Sequence, residues 1–208
     1  MIVKVNKDHP TKNIIQQAVH ILEEGGVLIA PTETAYGLVC DATDISVIKK
    51  IVEIKKRPEN KFFPLVVASI QQLQMYFELN DNELELVKRY LGLSIILNPK
   101  LRAHKKDVAL MPGQEMCAVR ITTNNLMRNL AKKLGRPIVA TSANIAGGEN
   151  CYDIDCMVKQ IEKLEDKVGV VLDAGVLQKN KPSTIVKVEG KKVKVVRQGE
   201  IKINKSKK

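Results

Sequence analysis

Residues 29–38 read Ile-Ala-Pro-Thr-Glu-Thr-Ala-Tyr-Gly-Leu, and this stretch decides how the whole chain is interpreted. The apolar residues that lead into Pro31 predict a short buried strand. The residues after Pro31 predict a turn that carries two hydroxyls, a carboxylate and a phenol. Ligands of α/β sheets bind where strands end, so the stretch predicts a pocket at the end of this strand.

Two further segments add to the predicted pocket. Residues 55–58 (Lys-Lys-Arg-Pro) follow one predicted helix later and supply fixed positive charge. Residues 138–144 (Ile-Val-Ala-Thr-Ser-Ala-Asn) predict a second apolar strand that ends in polar side chains. Hydroxyls and cations at strand ends suit a small polar substrate that carries phosphate, and the two strand ends together predict one enzyme pocket.

Apolar strands alternate with amphipathic helices along the whole chain. Helices are predicted over residues 13–24 and 153–165, and residues 184–196 predict a hairpin that turns at Glu189-Gly190. This alternation predicts an α/β fold, in which a single domain has a twisted, mixed sheet of parallel and antiparallel strands flanked by helices. We place the domain at residues 1–201 and a basic C-terminal tail at residues 202–208.

The composition excludes several classes of protein. The sequence contains no apolar run of about 20 residues, the length that a transmembrane helix requires. Its amino terminus lacks the apolar centre and cleavage site of a signal peptide. We therefore expect a cytoplasmic protein without membrane contact.

The four cysteines, Cys40, Cys117, Cys151 and Cys156, are scattered and include no Cys-x2-Cys pair. The three histidines form no cluster with metal-ligand spacing either. We therefore expect reduced thiols and no metal ion held by protein side chains.

The formal net charge of +11 favours anionic ligands, nucleotides or RNA. Much of the positive excess lies in the last 18 residues, where a lysine-rich tail is usually solvated. Aromatic residues make up only 3% of the chain, which weakens its interpretation as a single-strand nucleic-acid binder. The charge therefore predicts an anionic ligand without choosing between a nucleotide and RNA.

Each candidate side chain also has a structural interpretation. Arg120 falls within the apolar strand Cys117–Ile121, so an inward-facing guanidinium would need an anionic partner, either a protein carboxylate or a ligand. The hydroxyl of Thr34 could cap a neighbouring helix. Lys55 and Arg57 could complement a helix dipole.

The later candidates leave similar alternatives open. Ser142 and Asn144 could bind a ligand from one side of an extended backbone, or form a turn that leads into Gly147-Gly148. Ser183 begins a strand and Arg197 ends one, where either could be an ordinary surface residue. The sequence contains no Gly-x4-Gly-Lys-Ser/Thr loop, so any phosphate chemistry would depend on cations and hydrogen bonds outside that motif.

Six segments of the chain, taken in order, resemble the YrdC-like family of threonylcarbamoyl-AMP synthases. The segments are GGVLIAPTETAYGLVCDA, IKKRPENK, CAVRI, IVATSAN, KPSTIV and VVRQGEI, and the resemblance extends from about residue 10 to 201. It implies a YrdC-like fold in its short, single-domain form. The family's Trp-Pro-Gly-Pro stretch is replaced here by Tyr90-Leu91-Gly92-Leu93, and Ser94 stands where the family has a threonine.

The resemblance implies that L-threonine, bicarbonate and ATP react to give threonylcarbamoyl-AMP and pyrophosphate, with Mg²⁺ accompanying ATP as a substrate. A tRNA threonylcarbamoyl transferase complex would then use the product to modify the adenosine beside the anticodon. The implied threonine-binding residues are Thr34, Arg120 and Ser183. The implied ATP-binding residues are Arg57, Lys61, Ser142, Asn144 and Arg197, and the implied catalytic residues are Lys55 and Arg57, with Lys55 adding charge near the phosphates.

Two alternatives compete with this interpretation. The chain could be a non-enzymatic RNA-binding or ribosome-maturation protein of the same fold, which would bind RNA through its basic surface. It could also be a carbamoyl-transfer module like the YrdC-like domain of hydrogenase maturation proteins. That domain sits in larger chains with acylphosphatase-like and zinc-binding parts, which this sequence lacks.

Overall fold

The computed structural model describes residues 1–58, 62–100, 107–190 and 192–203. The strands are β1 Ile2–Lys4, β2 Leu28–Pro31, β3 Tyr36–Asp41, β4 Leu65–Val67, β5 Ser94–Leu97, β6 Cys117–Ile121, β7 Ile138–Ser142, β8 Val170–Asp173, β9 Ile185–Glu189 and β10 Lys192–Arg197. The helices are α1 Lys12–Glu23, α2 Ile45–Lys55, α3 Ile70–Tyr76, α4 Asp81–Arg89, α5 Asn125–Leu134, α6 Ile154–Gln160 and α7 Leu164–Lys167.

These strands form one mixed sheet in the described part of the chain, with the order β1-β8-β2-β3-β7-β4-β6-β5-β9-β10. Strand β8 runs parallel to β1 and β2, and the pairs β4/β6 and β5/β9 are also parallel. The remaining neighbours are antiparallel. The predicted α/β class with a mixed sheet flanked by helices is confirmed.

Helices cover both faces of the sheet, and each face has its own apolar core. One core packs α1 and α5 against the sheet through buried residues such as Val19 and Leu130. The other core includes α2, whose Ile51 is fully buried. Asp44 caps α2, because its side chain accepts a hydrogen bond from the backbone of Ser46 at 2.9 Å.

Strand β3 was not predicted, because its residues were assigned to the turn that follows Pro31. It forms a hairpin with β2, in which Pro31 is paired with Tyr36. All six residues of β3 are buried, since the strand lies between β2 and β7 and is covered on both faces. A strand buried on both faces lacks the alternation of apolar and polar residues that marks a strand in sequence.

The single helix predicted over residues 153–165 is two helices, α6 and α7. Lys163 adopts a positive φ of 50°, which interrupts the helical conformation between them. Leu164 is buried where α7 begins. The sequence predicted a single helix because an apolar pattern indicates which residues are buried. It does not indicate where the backbone turns.

The expectation of four reduced thiols is wrong for Cys151 and Cys156, which form a disulfide. Asp153 accepts a hydrogen bond from the backbone N–H of Cys156 at 2.8 Å and so starts α6. The resulting turn brings the two Cα atoms to 5.3 Å, a separation that a disulfide spans. Cys40 and Cys117 are free and buried, and burial raises the pKa of both thiols.

The chain packs against the core as far as its last described residues. Ile201 and Ile203 are partly buried against the larger core. The predicted tail begins at residue 202, but residues 204–208 lie outside the described part of the chain, so the boundary stays a prediction. Within the described ranges, no helix has the length and apolar character needed to cross a membrane.

Candidate active site

A cleft of about 470 Å³ opens where several strands end. The sheet brings its walls together from distant parts of the sequence, since β3 pairs with β7 while β6 and β9 both flank β5. Six of the residues predicted from the sequence line the cleft: Thr34, Arg57, Arg120, Ser142, Ser183 and Arg197. The two polar strand ends identified in the sequence therefore meet in one pocket, as predicted.

Two smaller cavities adjoin the cleft at different positions. One, of about 290 Å³, shares Thr34, Arg120 and Ser183 with it, and we call this region the Arg120 end. The other, of about 230 Å³, shares Arg57 and Ser142 with it, and we call this region the Arg57 end. The residues that the resemblance assigns to threonine thus lie apart from most of those it assigns to ATP.

At the Arg57 end, β7 runs directly into a loop held by its own polar side chains. The hydroxyl of Ser142 donates to Asn144 Oδ1 at 2.6 Å, and Asn144 Nδ2 donates to the carbonyl of Gly148 at 2.6 Å. The turn, one of the two predicted alternatives, is therefore confirmed, and ligand binding by this pair stays a prediction. The side chains of Ser142 and Asn144 form a turn, and both residues also line a cavity.

Lys55 lies beneath this loop with only 2% of its surface exposed. Its ammonium donates to the carbonyl of Ser142 at 2.5 Å and to the carbonyl and Oδ1 of Asn144, both at 2.8 Å. An ammonium has three N–H bonds, so these three acceptors use all of them. Burial, together with the nearby charge of Arg57, lowers the pKa of Lys55 to about 8.

Arg57 faces the cleft from the segment that follows α2. Its guanidinium donates to the carbonyl of Phe62 at 3.2 Å and lies 5.0 Å from the centre of the Phe63 ring. This contact with the ring fixes the plane of the guanidinium at the wall of the cleft. Burial lowers the pKa of Arg57 from its ordinary value. Lys61, predicted to bind ATP, lies outside the described residues.

At the Arg120 end, Arg120 has a protein carboxylate as its partner, one of the two possibilities that the sequence left open. Its Nη2 lies 2.9 Å from Oε2 of Glu33, and the two side chains are 11% and 18% exposed. The Nε of Arg120 is buried and has no hydrogen-bond partner among the described residues. A ligand with an acceptor oxygen would satisfy this N–H as well as the guanidinium's remaining donors.

The second oxygen of Glu33 is held by the start of α5. Its Oε1 accepts from Thr122 Oγ1 at 2.5 Å, from the backbone N–H of Thr123 at 2.9 Å and from that of Asn124 at 3.3 Å. Burial by itself raises the pKa of the Glu33 carboxyl. The charge of Arg120 and the hydrogen bonds outweigh that effect, so the pKa lies below its ordinary value and the group is ionised.

Arg197 reaches the same end of the cleft through Ser183. Its Nη2 donates to the carbonyl of Ser183 at 2.8 Å and contacts the hydroxyl at 3.1 Å, and that hydroxyl lies 3.0 Å from Ser94 Oγ. Burial lowers the pKa of Arg197, and the charge of Arg120 lowers it further. The structure thus places Arg197, which the resemblance assigns to ATP, beside the residues assigned to threonine.

Two glycines permit the close approaches that shape the cleft. A Cβ on Gly37 would lie 3.0 Å from Thr32 Cγ2 and 3.2 Å from the carbonyl of Thr141. A side chain there would therefore push β3 and β7 apart. A Cβ on Gly199 would overlap the carbonyl of Pro182. Gly199 therefore lets the segment after β10 lie directly against the strand end that carries Ser183.

Sequence reasoning missed three residues that shape the site. Glu33 was seen as a carboxylate in the turn but was not assigned to Arg120, which lies 87 residues away. Phe62 and Phe63 were not singled out, although they follow the Lys-x-Arg segment closely in a sequence with few aromatic residues. The signal that could have identified Glu33 was the need of an inward-facing Arg120 for an anionic partner, since Glu33 supplies a carboxylate in the predicted turn.

The described part of the chain contains no group of three or more histidine, cysteine, aspartate or glutamate side chains placed to hold a metal ion. Glu33, which lines the cavity at the Arg120 end together with Glu200, already has its acceptor oxygens engaged. A metal ion at this site would therefore be held mainly by the oxygens of a ligand and by water.

Comparison with known proteins agrees with this architecture. The sequence model of the family Sua5_yciO_yrdC, described as "Telomere recombination", matches residues 20–199. A Vibrio vulnificus (strain YJ016) protein named threonylcarbamoyl-AMP synthase is 31% identical over 181 residues, covering 82% of this chain and 91% of the relative. An Escherichia coli K12 protein named uncharacterized protein YciO is 26% identical over 197 residues, covering 94% and 93% respectively.

Two solved structures are similar across nearly the whole chain. The crystal structure of P. abyssi Sua5 complexed with L-threonine has a TM-score of 0.81 and 26% sequence identity, and the match covers 96% of this chain. This chain spans 57% of that Sua5 chain. The crystal structure of E. coli YciO has a TM-score of 0.80 and 25% identity, and the match covers 96% of this chain and 95% of the other.

Proposed function

Because the chain belongs to the Sua5/YciO/YrdC family, we propose that it is an L-threonylcarbamoyladenylate synthase. In this proposal L-threonine, bicarbonate and ATP give threonylcarbamoyl-AMP and pyrophosphate. The observation that carries the proposal is a single cleft with two cationic ends, one built around Arg120 and the other around Arg57. An enzyme that joins an amino acid to a nucleotide needs two such subsites within reach of each other.

The Arg120 end suits the amino acid. The unpartnered Nε of Arg120 and the guanidinium's remaining donors offer a planar site for the α-carboxylate. The hydroxyls of Thr34 and Ser183 line the same end and can bind the amine and the side-chain hydroxyl. The L-threonine in the complex of the P. abyssi relative supports threonine as the amino acid.

The Arg57 end suits the phosphates of ATP. Arg57 brings a positive charge to the wall of this cavity, and Ser142 and Asn144 add polar groups at the turn after β7. We assign Lys55 a positioning role in place of direct contact with phosphate, since its three N–H bonds already hold the Ser142–Asn144 loop. Lys61 remains a proposed ATP ligand. Mg²⁺ would enter with ATP, held by phosphate oxygens and water.

The reaction has two bond-forming steps. The amine of threonine loses a proton and condenses with bicarbonate, releasing water and forming a carbamate. A carbamate oxygen then bonds to the α-phosphorus of ATP as the bond to pyrophosphate breaks. Both reactants are anions, so the work of the protein is to hold them close and offset their repulsion, which Arg57, Arg120 and Arg197 do without forming a covalent intermediate.

Pyrophosphate release tests this proposal. The native chain should release pyrophosphate from ATP only when L-threonine and bicarbonate are both present, and serine, alanine and D-threonine should support less release than L-threonine. Arg57→Lys is the matched variant, because it keeps the positive charge and removes the planar guanidinium. A folded native chain that releases no pyrophosphate under these conditions contradicts the proposal. In a cell, the product would pass to a tRNA threonylcarbamoyl transferase complex.

One feature favours the second candidate, RNA binding. A groove of about 480 Å³ between α1 and α5 is lined by Lys12, Lys132 and Lys133, with no carboxylate among the described residues that line it. RNA bound there would dissociate as salt rises, because phosphate contacts release counterions. Lys132→Glu with Lys133→Glu should then abolish RNA binding while pyrophosphate release is retained. Binding that is insensitive to salt and to these changes excludes this surface.

A further inference from the structure

Glu33 carries a partly buried carboxylate that the proposed chemistry does not itself use. It lies in the turn between β2 and β3, immediately before Thr34, and its side chain is 18% exposed. We propose that Glu33 is the positioning residue of the amino-acid subsite, which fixes Arg120 and Thr34 at the same time. This inference rests on the proposed function and adds to it the residue that determines how tightly the amino acid binds.

The contacts of Glu33 exclude its action as a general base. Its carboxylate already accepts four hydrogen bonds: one from Arg120, one from the hydroxyl of Thr122, and two from the backbone N–H groups of Thr123 and Asn124. A carboxylate with so many donors holds its negative charge firmly and takes up a proton poorly. Glu33 can therefore orient its neighbours but is poorly suited to remove a proton from the amine.

The first group that Glu33 orients is the guanidinium of Arg120. The 2.9 Å ion pair at Nη2 ties one corner of the guanidinium to the start of α5, because the other oxygen of Glu33 is bound there. Nε is left buried without a partner among the described residues. A long side chain held at one corner loses less conformational entropy when a carboxylate binds its other N–H groups.

The second group is Thr34, which follows Glu33 directly. The main-chain carbonyl of Glu33 accepts from Asn180 Nδ2 at 2.8 Å, so the residue is held from its backbone as well as from its side chain. The backbone N–H of Thr34 donates to Thr32 Oγ1 at 3.2 Å, which fixes the turn from the other side. Thr34 therefore reaches the cleft from a backbone that is held on both sides.

Glu33 also sets the charge at this end of the cleft. Arg120 and Arg197 interact electrostatically, and each positive charge disfavours the other. The carboxylate of Glu33 lies against Arg120 and offsets part of this repulsion. Without Glu33 the two guanidiniums would repel each other, and Arg120 would lose the geometry that matches the amino acid.

Steady-state kinetics of Glu33→Gln test the inference, with Glu85→Gln as the matched change at an exposed position on α4. The KM for L-threonine should rise about 10- to 100-fold, the effect of losing one charged hydrogen bond, while the KM for ATP changes by less than about threefold. A merely structural defect would instead lower kcat and affect both substrates. A folded variant whose KM for threonine stays within about twofold of the native value overturns the inference.

Asn180→Ala keeps the test decisive if Glu33→Gln does not fold, because Asn180 is exposed and its side chain donates a hydrogen bond to the main-chain carbonyl of Glu33. The KM for threonine should rise about 2- to 10-fold, and an unchanged value overturns the inference. Calorimetry with L-threonine alone separates the two proposals. A native chain that binds threonine but releases no pyrophosphate contradicts only the proposed function, and the same variants then test Glu33 through Kd. A native chain that binds no threonine overturns both.

Discussion

Replacing Lys55 with methionine should remove a contribution to stability that increases as the pH rises. Lys55 is buried beneath the Ser142–Asn144 loop, and burial lowers its pKa from 10.5 to about 8. Between these values the unfolded chain binds more protons than the folded chain. Stability contributed by this group is therefore smallest below pH 8 and rises as the pH increases towards 10.5.

The size of the effect follows from the shift. At about 1.4 kcal/mol per pKa unit, the native chain should gain roughly 2.5 kcal/mol over the Lys55→Met variant between pH 7 and pH 10. Taking the difference between the two chains cancels the opposite contributions of the buried Cys40 and Cys117 thiols, whose pKa values burial raises. Those thiols remain in both chains.

Urea denaturation at pH 7, 8, 9 and 10 measures this difference, and Lys49→Met, an exposed lysine on the same helix, is the control. At pH 7 the variant loses three charge-assisted hydrogen bonds but also avoids burying a charge, so it should be destabilised by about 2–3 kcal/mol. A difference between native and Lys55→Met that stays constant within about 0.5 kcal/mol across these pH values would refute the burial of the ammonium under the loop.

Two further substitutions and one thiol titration test other parts of the structure. Arg57→Ala should lower ATP-dependent pyrophosphate release by about 10-fold or more without changing the midpoint of thermal unfolding, and a native rate would remove Arg57 from the site. Gly199→Ala should cost about 1–3 kcal/mol in urea denaturation and reduce turnover, because a Cβ there overlaps the Pro182 carbonyl, whereas native stability would contradict the close approach. Thiol titration of unfolded, unreduced protein should detect two thiols, Cys40 and Cys117, and titration after reduction should detect four; four thiols without reduction would contradict the disulfide.

The sequence predicted those features that depend on residues near one another in the chain. Strand β6 has the boundaries that its apolar pattern predicts, and α2 ends before Pro58 as the preference of the preceding residue requires. The polar strand end at Ser142 was also correct. In each case the signal is local, since it consists of a periodic pattern, a cap or a residue that ends the element.

The features that were missed depend on contacts between distant residues. Nothing near Glu33 in the sequence indicates that Arg120, in another strand, would be its partner. The contacts of Lys55 depend on where the β7 loop passes, so the sequence did not show that its ammonium lies beneath that loop. Strand β3 escaped notice because both of its faces are buried. Tertiary packing determined each of these outcomes.

Mass spectrometry of one reaction mixture tests the central claim most directly. The mixture contains the native chain, ATP, Mg²⁺, L-threonine and isotopically labelled bicarbonate, and parallel mixtures omit one substrate each. We predict an adduct of AMP that carries both the threonine mass and the bicarbonate label, formed together with pyrophosphate and absent from every incomplete mixture. A folded chain that binds ATP and L-threonine but yields no labelled adduct would contradict the account of this cleft as a threonylcarbamoyladenylate synthase.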